Sequence, residues 1–235
     1  AQLRRAVLVE ELDGLVFLNP DRYNENNPDI GWETADEYLS GNVRDKLRVA
    51  KAMAADTDNL QAERFAGNVA ALEKVQPKDL EASEISVRLG ATWIPAEYVQ
   101  QFLEELLDAP YYTRRMVKVE FAAYTGSWAI TNKKFGDGNI KATVTYGTNR
   151  ANAYLIAENA LNLRSTQIRD KVTAADGSVS WVLNKEATQA AQEKQRQICE
   201  QFQDWIFKEP ERRQRLVAIY NEKFNALRPR EYDLS

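Results

Sequence analysis

MVKVEFAAYTGSWAIT, Met116 to Thr131, breaks the texture of the chain. Valine, phenylalanine, tryptophan, isoleucine and threonine alternate there with small or polar residues, the period of a half-buried strand and not the 3.6-residue recurrence of a helix. KATVTYGT, Lys141 to Thr148, repeats the pattern, and the turn-rich KKFGDGN lies between the two runs. They read as an antiparallel hairpin. A second pair, TQIRDKVT and SVSWVL, meets at Asp176-Gly177, a dipeptide that tolerates the positive φ of a tight hairpin turn.

Around these runs the pattern is helical. Upstream, AVLVEEL suggests a short helix, Asp13-Gly14 a turn, and Leu15 to Leu18 a strand closed by Asn19-Pro20. Asp21 to Gly31 is polar and aperiodic, a loop. Thr34 with Glu37 forms a capping-box pattern for a helix to Leu39, interrupted by Ser40-Gly41. Val43, Leu47, Ala50 and Ala54 recur at helical spacing, as do Phe65, Val69 and Leu72 between Leu60 and Val75. Pro95 stands at a first helical position ahead of the broad apolar face Tyr98, Val99, Phe102, Leu103, Leu106 and Leu107. Asn149 to Leu163 is helical again, and two long helices close the chain, Lys185 to Phe207 and a second from about Pro210. The fold class is therefore α+β, mainly helical with one or two antiparallel β-hairpins forming a small sheet. Its segments are 1–110, mainly helical with a short strand; 111–183, hairpins around a central helix; and 184–235, a helical pair. Together they are expected to make one compact unit.

Composition removes several chemistries. The 235 residues contain one cysteine, Cys199, and no histidine. That excludes a disulfide framework, thiolate clusters, Ser-His-Asp and Cys-His arrangements, and the usual zinc and non-haem iron ligand sets. No apolar run reaches the roughly 20 residues that span a bilayer, so no membrane partner is expected and the chain reads as cytoplasmic. The net charge of −4 lacks the global basicity of a dedicated nucleic-acid binder but allows a locally basic face.

The motif search ends in the same place. Phe135-Gly136-Asp137-Gly138 lies between strand-like runs without the helix whose amino terminus would bind phosphate, so it reads as a turn. Asn19-Pro20 and Asn27-Pro28 lack the second proline and aromatic of an adenine methyl-transfer motif. Carboxylate pairs such as Glu10-Glu11, Asp36-Glu37 and Glu104-Glu105 diverge by about 100° on a helix and do not converge on one point. No catalytic, metal or cofactor residue is assigned; a carboxylate-and-metal nuclease would need three acids brought together in space.

Cations remain. Arg114, Arg115, Lys118, Lys133, Lys134, Lys141 and Arg150 surround the first strand-like runs. Arg114, Arg115, Lys133, Lys134, Lys141 and Arg150 are candidate phosphate contacts, assisted by the N–H groups of Gly147 and Thr148, and Arg44 with Lys46 forms a second patch. Six such contacts predict a log–log salt slope of about −5. The alternative is a charged solvent face. The same two readings apply to Lys208, Arg212, Arg213, Arg215, Arg228 and Arg230, where Glu209, Glu211 and Glu222 interleave. The five tryptophans suit base stacking or core packing.

TADEYLSGNVRDKL, VRLGATWIPAEYVQQF, TYGTNRANAYLIAENALNLR and WIFKEPERRQRLVAIYNEKFNALRPREYD, in this order, resemble the central region of very large proteins of bacterial mobile elements and phages. In that family an adenine-specific DNA methylase is joined to a Swi/Snf-type DEAD/DEAH helicase. The resemblance runs from about Leu12 to Asp233. It implies methylase motifs before this region and helicase motifs after it, with S-adenosylmethionine and ATP/Mg belonging to those flanking domains and no cofactor here. It carries over no catalytic residue, and the two ends read as cuts in a longer protein. The expected function is a non-catalytic connector that positions DNA between the flanking methylase and helicase domains. The alternative is a structural module that docks those domains without touching nucleic acid. In TADEYLSGNVRDKL, Tyr38, Asn42, Arg44 and Lys46 are the residues left over for such contacts.

Overall fold

A computed structural model of the chain describes residues 16–24, 26–27, 30–59 and 61–230. The helix expected over AVLVEEL and the Asp13-Gly14 turn lie outside them. The fold is α+β, about half helical, and every sheet among the described residues is a two-stranded antiparallel ladder. Two compact units divide the chain, Ala1–Glu81 with Ala218–Ser235, and Ala82–Val217. They follow contacts and not chain order, and so do not coincide with the three consecutive segments.

The first unit carries β1 (Val16–Leu18), β2 (Trp32–Thr34), α1 (Ala35–Tyr38), β3 (Gly41–Asn42), α2 (Val43–Ala55) and α3 (Ala62–Lys74). β1 pairs with β2, and β3 pairs with β8 (Leu227–Arg228) near the far end of the chain. Phe17, Tyr38, Val43, Ala50 and Leu72 form its core, with Phe17 and Tyr38 stacked 5.3 Å apart. Tyr38 is fully buried, which corrects its place among the residues left over for contacts. Asn68, also buried, donates to the Tyr38 hydroxyl and to the Leu18 carbonyl, and burial pushes the Tyr38 phenol up to about 12. Thr34 holds the N-cap position of α1 but makes no capping bond; its hydroxyl meets Asp36 instead. Asn42 does cap α2, accepting from the Asp45 N–H.

The second unit contains α4 (Ala96–Leu106), α5 (Tyr111–Met116), β4 (Val119–Ala122), β5 (Ser127–Ile130), α6 (Ala153–Leu161), β6 (Arg169–Thr173), β7 (Val179–Leu183) and α7 (Lys185–Ile206). α8 (Pro210–Phe224) begins in it. Phe102 of α4 meets Phe202 and Trp205 of α7 at 5.1 and 5.5 Å, and Ile198 and Ile206 are buried on the same helix. These are the apolar faces that the 3.6-residue periodicity marked. Arg212 closes the end of α7: its guanidinium lies 3.5 Å over the Trp205 ring and donates to the Trp205 and Ile206 carbonyls. Trp205 Nε1 in turn donates to Glu105.

Two runs fold differently from the expected first hairpin. Met116–Thr131 supplies both strands itself: β4 pairs with β5 around Ala123–Gly126, where Gly126 takes a φ of +64°. Closing a short loop costs less chain entropy than pairing across the longer KKFGDGN segment. Lys141–Thr145 is consequently no strand but one turn of π-helix. The Asn139 side chain accepts from the Lys141 N–H and its carbonyl from the N–H groups of Ala142 and Thr143, so local hydrogen bonding outweighs the β preference of valine and threonine. Gly147 permits this turn, because a Cβ there would stand 2.0 Å from the Ala142 carbonyl oxygen. The second hairpin forms as expected, β6 against β7 with Lys171 opposite Trp181.

Candidate nucleic-acid interface

The candidate cations of the second unit lie on segments held side by side. Pro110 starts α5, and Thr113 and Val117 are buried beneath it, which turns Tyr111, Tyr112, Arg114 and Arg115 outward. A 3-10 turn, Lys133–Gly136, packs against α5 through an edge contact of Tyr112 on Phe135 at 5.4 Å, and Asn132 Nδ2 donates to the Met116 carbonyl at 2.8 Å. Gly136 is buried against the Tyr154 ring, so the neighbouring Lys134 and Phe135 are exposed. The Asn139 side chain then ties the π-turn to the end of α4 through the Leu107 carbonyl, placing Lys141 on the same stretch of surface.

Not every candidate faces solvent freely. Arg115 lies 5.8 Å over the Tyr111 ring with no carboxylate partner among the described residues, and Lys134 has none either. Lys141 is 3.8 Å from Asp108, an exposed pair too long for a hydrogen bond. Arg114 is exposed but commits its Nε to the Ala109 carbonyl at 2.6 Å. Lys133 is structural: it bridges the Ile130 carbonyl and Glu158, while Glu158 also accepts from the Ile130 N–H, which ties β5 and the 3-10 turn onto α6. The Thr148 N–H donates to the Ala151 carbonyl and is therefore not free for phosphate.

Arg150 anchors the second hairpin. It pairs with Asp170 at 2.8 Å and donates to the Arg169 carbonyl, and Asn184 donates to the other Asp170 oxygen. These bonds, Arg150 first, hold the Asp170 carboxyl below its ordinary 3.8. A lowered folded value means that the unfolded chain takes up this proton first. The contribution is fully present above pH 3.8 and is lost as the pH falls through the lower folded value. Acid titration of thermal unfolding is expected to show the parent and Asp170→Asn converging below pH 3.8 and separated at neutral pH.

In the first unit, Arg44 and Lys46 are both committed to the backbone. Arg44 reaches the Asn225 and Pro77 carbonyls and the Asp79 carboxylate. Lys46 Nζ donates to the carbonyls of Glu37, Tyr38 and Ser40 at 3.2, 2.9 and 3.0 Å and lies over the Tyr38 ring. The carboxy-terminal cations are spread in the same way: Arg213 donates to the Phe207 carbonyl, Arg215 faces Glu97, Arg228 donates to the Leu39 carbonyl, and Arg230 pairs with Asp36.

Of the tryptophans, Trp93 and Trp128 are buried, Trp32 and Trp205 half-buried, and Trp181 is 62% exposed. Tyr111 and Tyr112 are also exposed, and their only signal in the sequence is their place directly after Pro110, ahead of the stronger β pattern that starts at Met116. Among the described residues no group of three or more His, Cys, Asp or Glu is placed to hold a metal ion, and no helix is long and apolar enough to cross a membrane. A groove of about 690 Å³ in the first unit, lined by Val16, Leu18, Trp32, Arg64 and Asn68, gathers no converging carboxylates.

These features define an α+β protein whose accessible surface offers cations and aromatic rings. Residues 88–226 match the family described as a domain of unknown function (DUF8437), and the chain belongs to that family. No curated protein and no solved structure matches it.

Proposed function

We propose that this chain is a non-catalytic module that positions DNA within a larger DNA-modifying protein, between the methylase and helicase domains that the family resemblance implies. The observation that supports it is the side-by-side placement of α5, the 3-10 turn and the π-turn. They bring Arg114, Arg115, Lys134 and Lys141 to one stretch of surface with Tyr111, Tyr112 and Phe135 exposed beside them. Arg115 and Lys134 have no carboxylate partner among the described residues and Lys141 has only the long, exposed pair with Asp108, so phosphate displaces little there, and exposed phenol rings add sugar and phosphate contacts. Arg44, Lys133 and Arg150 are left out of this contact set because each is tied to a carboxylate as well as to backbone carbonyls, and Lys46 because all three of its protons go to carbonyls, whereas Arg114 gives only its Nε to one carbonyl.

Four phosphate contacts predict a log–log salt slope of about −3.5 on duplex DNA, shallower than six would give. Retardation of a duplex by the chain in dilute salt checks this. Each of Arg115→Ala, Lys134→Ala and Lys141→Ala is expected to reduce the slope by about 0.9. No retardation, or a slope unchanged by all three, would sink the reading.

A docking role without nucleic acid has one observation in its favour: Ile140, just before the π-turn, and Val144, within it, are 74% and 63% exposed. It becomes the preferred reading if duplex DNA is not retained.

A further inference from the structure

The β6–β7 hairpin projects with a sorted outer face. Its root is fixed: the Ile168 N–H donates to Thr188 Oγ1 at 2.9 Å, the Asn184 N–H to the Ile168 carbonyl, and Asp170 is held by Arg150 and Asn184. Beyond the root all of β7 is exposed, and so is β6 apart from Asp170. Side chains alternate between the faces of a strand, and Arg169, Lys171 and Thr173 stand opposite Leu183, Trp181 and Val179. One face therefore carries Arg169 and Lys171, about 7 Å apart along the strand, beside a row of Val179, Trp181 and Leu183. Asp170 lies on the opposite face, already neutralised by Arg150. Asp176 is spent at the tip, accepting from the Ser178 N–H and hydroxyl.

The indole is open. Among the described residues no ring or cation stacks on Trp181, and its Nε1 has no acceptor. An exposed indole is a costly surface to leave in water, and a pair of unmatched cations across the strand selects an anion as its cover. A partner that is both planar and anionic satisfies the two rows together. We propose that this face binds unpaired nucleic acid, with a base stacked on Trp181, its neighbours against Val179 and Leu183, and the adjoining phosphates on Arg169 and Lys171. A duplex does not fit this role, because its base faces are already stacked on one another. The site is separate from the cations of α5, and it stands or falls without them.

The test uses the full chain and a labelled oligothymidylate of about 10 nucleotides, with oligouridylate and a blunt duplex as companions. Anisotropy is expected to show single-strand binding that Trp181→Ala weakens by about 5- to 100-fold and Trp181→Phe largely preserves. Arg169→Ala and Lys171→Ala are each expected to reduce the single-strand salt slope by about 0.7. Because Trp181 is exposed, its variants should melt like the parent. Equal affinity for DNA and RNA oligomers assigns the backbone and base alone; a preference identifies the strand. The proposal is overturned if Trp181→Ala binds the oligomers as the parent does. It is equally overturned if a tryptophan-fluorescence response that Trp181→Phe abolishes is given by phosphatidylserine vesicles or polyglutamate but not by an oligonucleotide. Concentration-dependent self-association that Trp181→Ala abolishes, without oligonucleotide binding, assigns the face to a second copy and also overturns it.

Discussion

Phe102→Ala is expected to destabilise the second unit by about 3–5 kcal/mol, enough to remove much of a typical domain's stability. Phe102 is 1% exposed and sits edge-on to Phe202 with Trp205 tilted beside it. Truncation removes the buried ring and leaves a space that the stiff backbones of α4 and α7 cannot close. Loss of the aromatic pair geometry adds to the transfer term. Phe102→Leu keeps most of the volume and should cost about 1–2 kcal/mol. Urea unfolding followed by both tryptophan fluorescence and far-ultraviolet dichroism measures the difference, and the two probes together show whether the units unfold as one. An alanine variant with an unchanged urea midpoint would mean that the α4–α7 contact is not the core of this unit.

Lys46→Met is expected to cost about 2 kcal/mol of stability and to leave DNA retention as it was. The ammonium spends its three protons on the carbonyls that end α1 and on Ser40, where the chain turns into β3. A thioether of similar length fills the space but donates nothing, so the Tyr38 and Ser40 carbonyls lose their charged partner. Burial already pulls the Lys46 amine below its ordinary value of 10.5, a sign that solvent has been replaced by protein around it. Reduced DNA retention by a folded Lys46→Met protein would restore Lys46 to the binding surface.

Lys46 shows why the candidate site was only partly legible. In the sequence it is one more cation on an amphipathic run, next to Arg44, Arg48 and Lys51. Nothing local distinguishes it from Arg48, which forms an exposed pair with Asp45 one turn away. The difference comes from where the carbonyls of α1 fall. Arg44 makes the point more strongly, since its Nε partner, the Asn225 carbonyl, is 181 residues away in the chain. A cation's availability is set by partners at long sequence separation, and spacing along one element carries no record of them.

The hairpins divide in the same way. Asp176-Gly177 specifies its own turn, so β6 and β7 were readable from the dipeptide and its flanks. In Met116–Val144 the alternation was genuine, but strand partners are chosen by loop closure and by side chains such as Asn139 that compete for the backbone. The valine and threonines of Lys141–Thr145 therefore entered a helical turn in spite of their propensity.

Taken alone, the sequence determined the α+β class, the long closing helices, the Asp176-Gly177 hairpin and the lack of imidazole and clustered sulfur. Each follows from composition or from hydrophobic period, quantities that neighbouring residues carry within themselves. Only the tertiary structure decided that Tyr38 is core, that Arg44, Lys46, Lys133 and Arg150 serve the fold, and that Trp181 stands exposed beside Arg169 and Lys171. Burial and hydrogen-bond satisfaction are properties of what packs against a residue, and that partner is supplied by the folded chain.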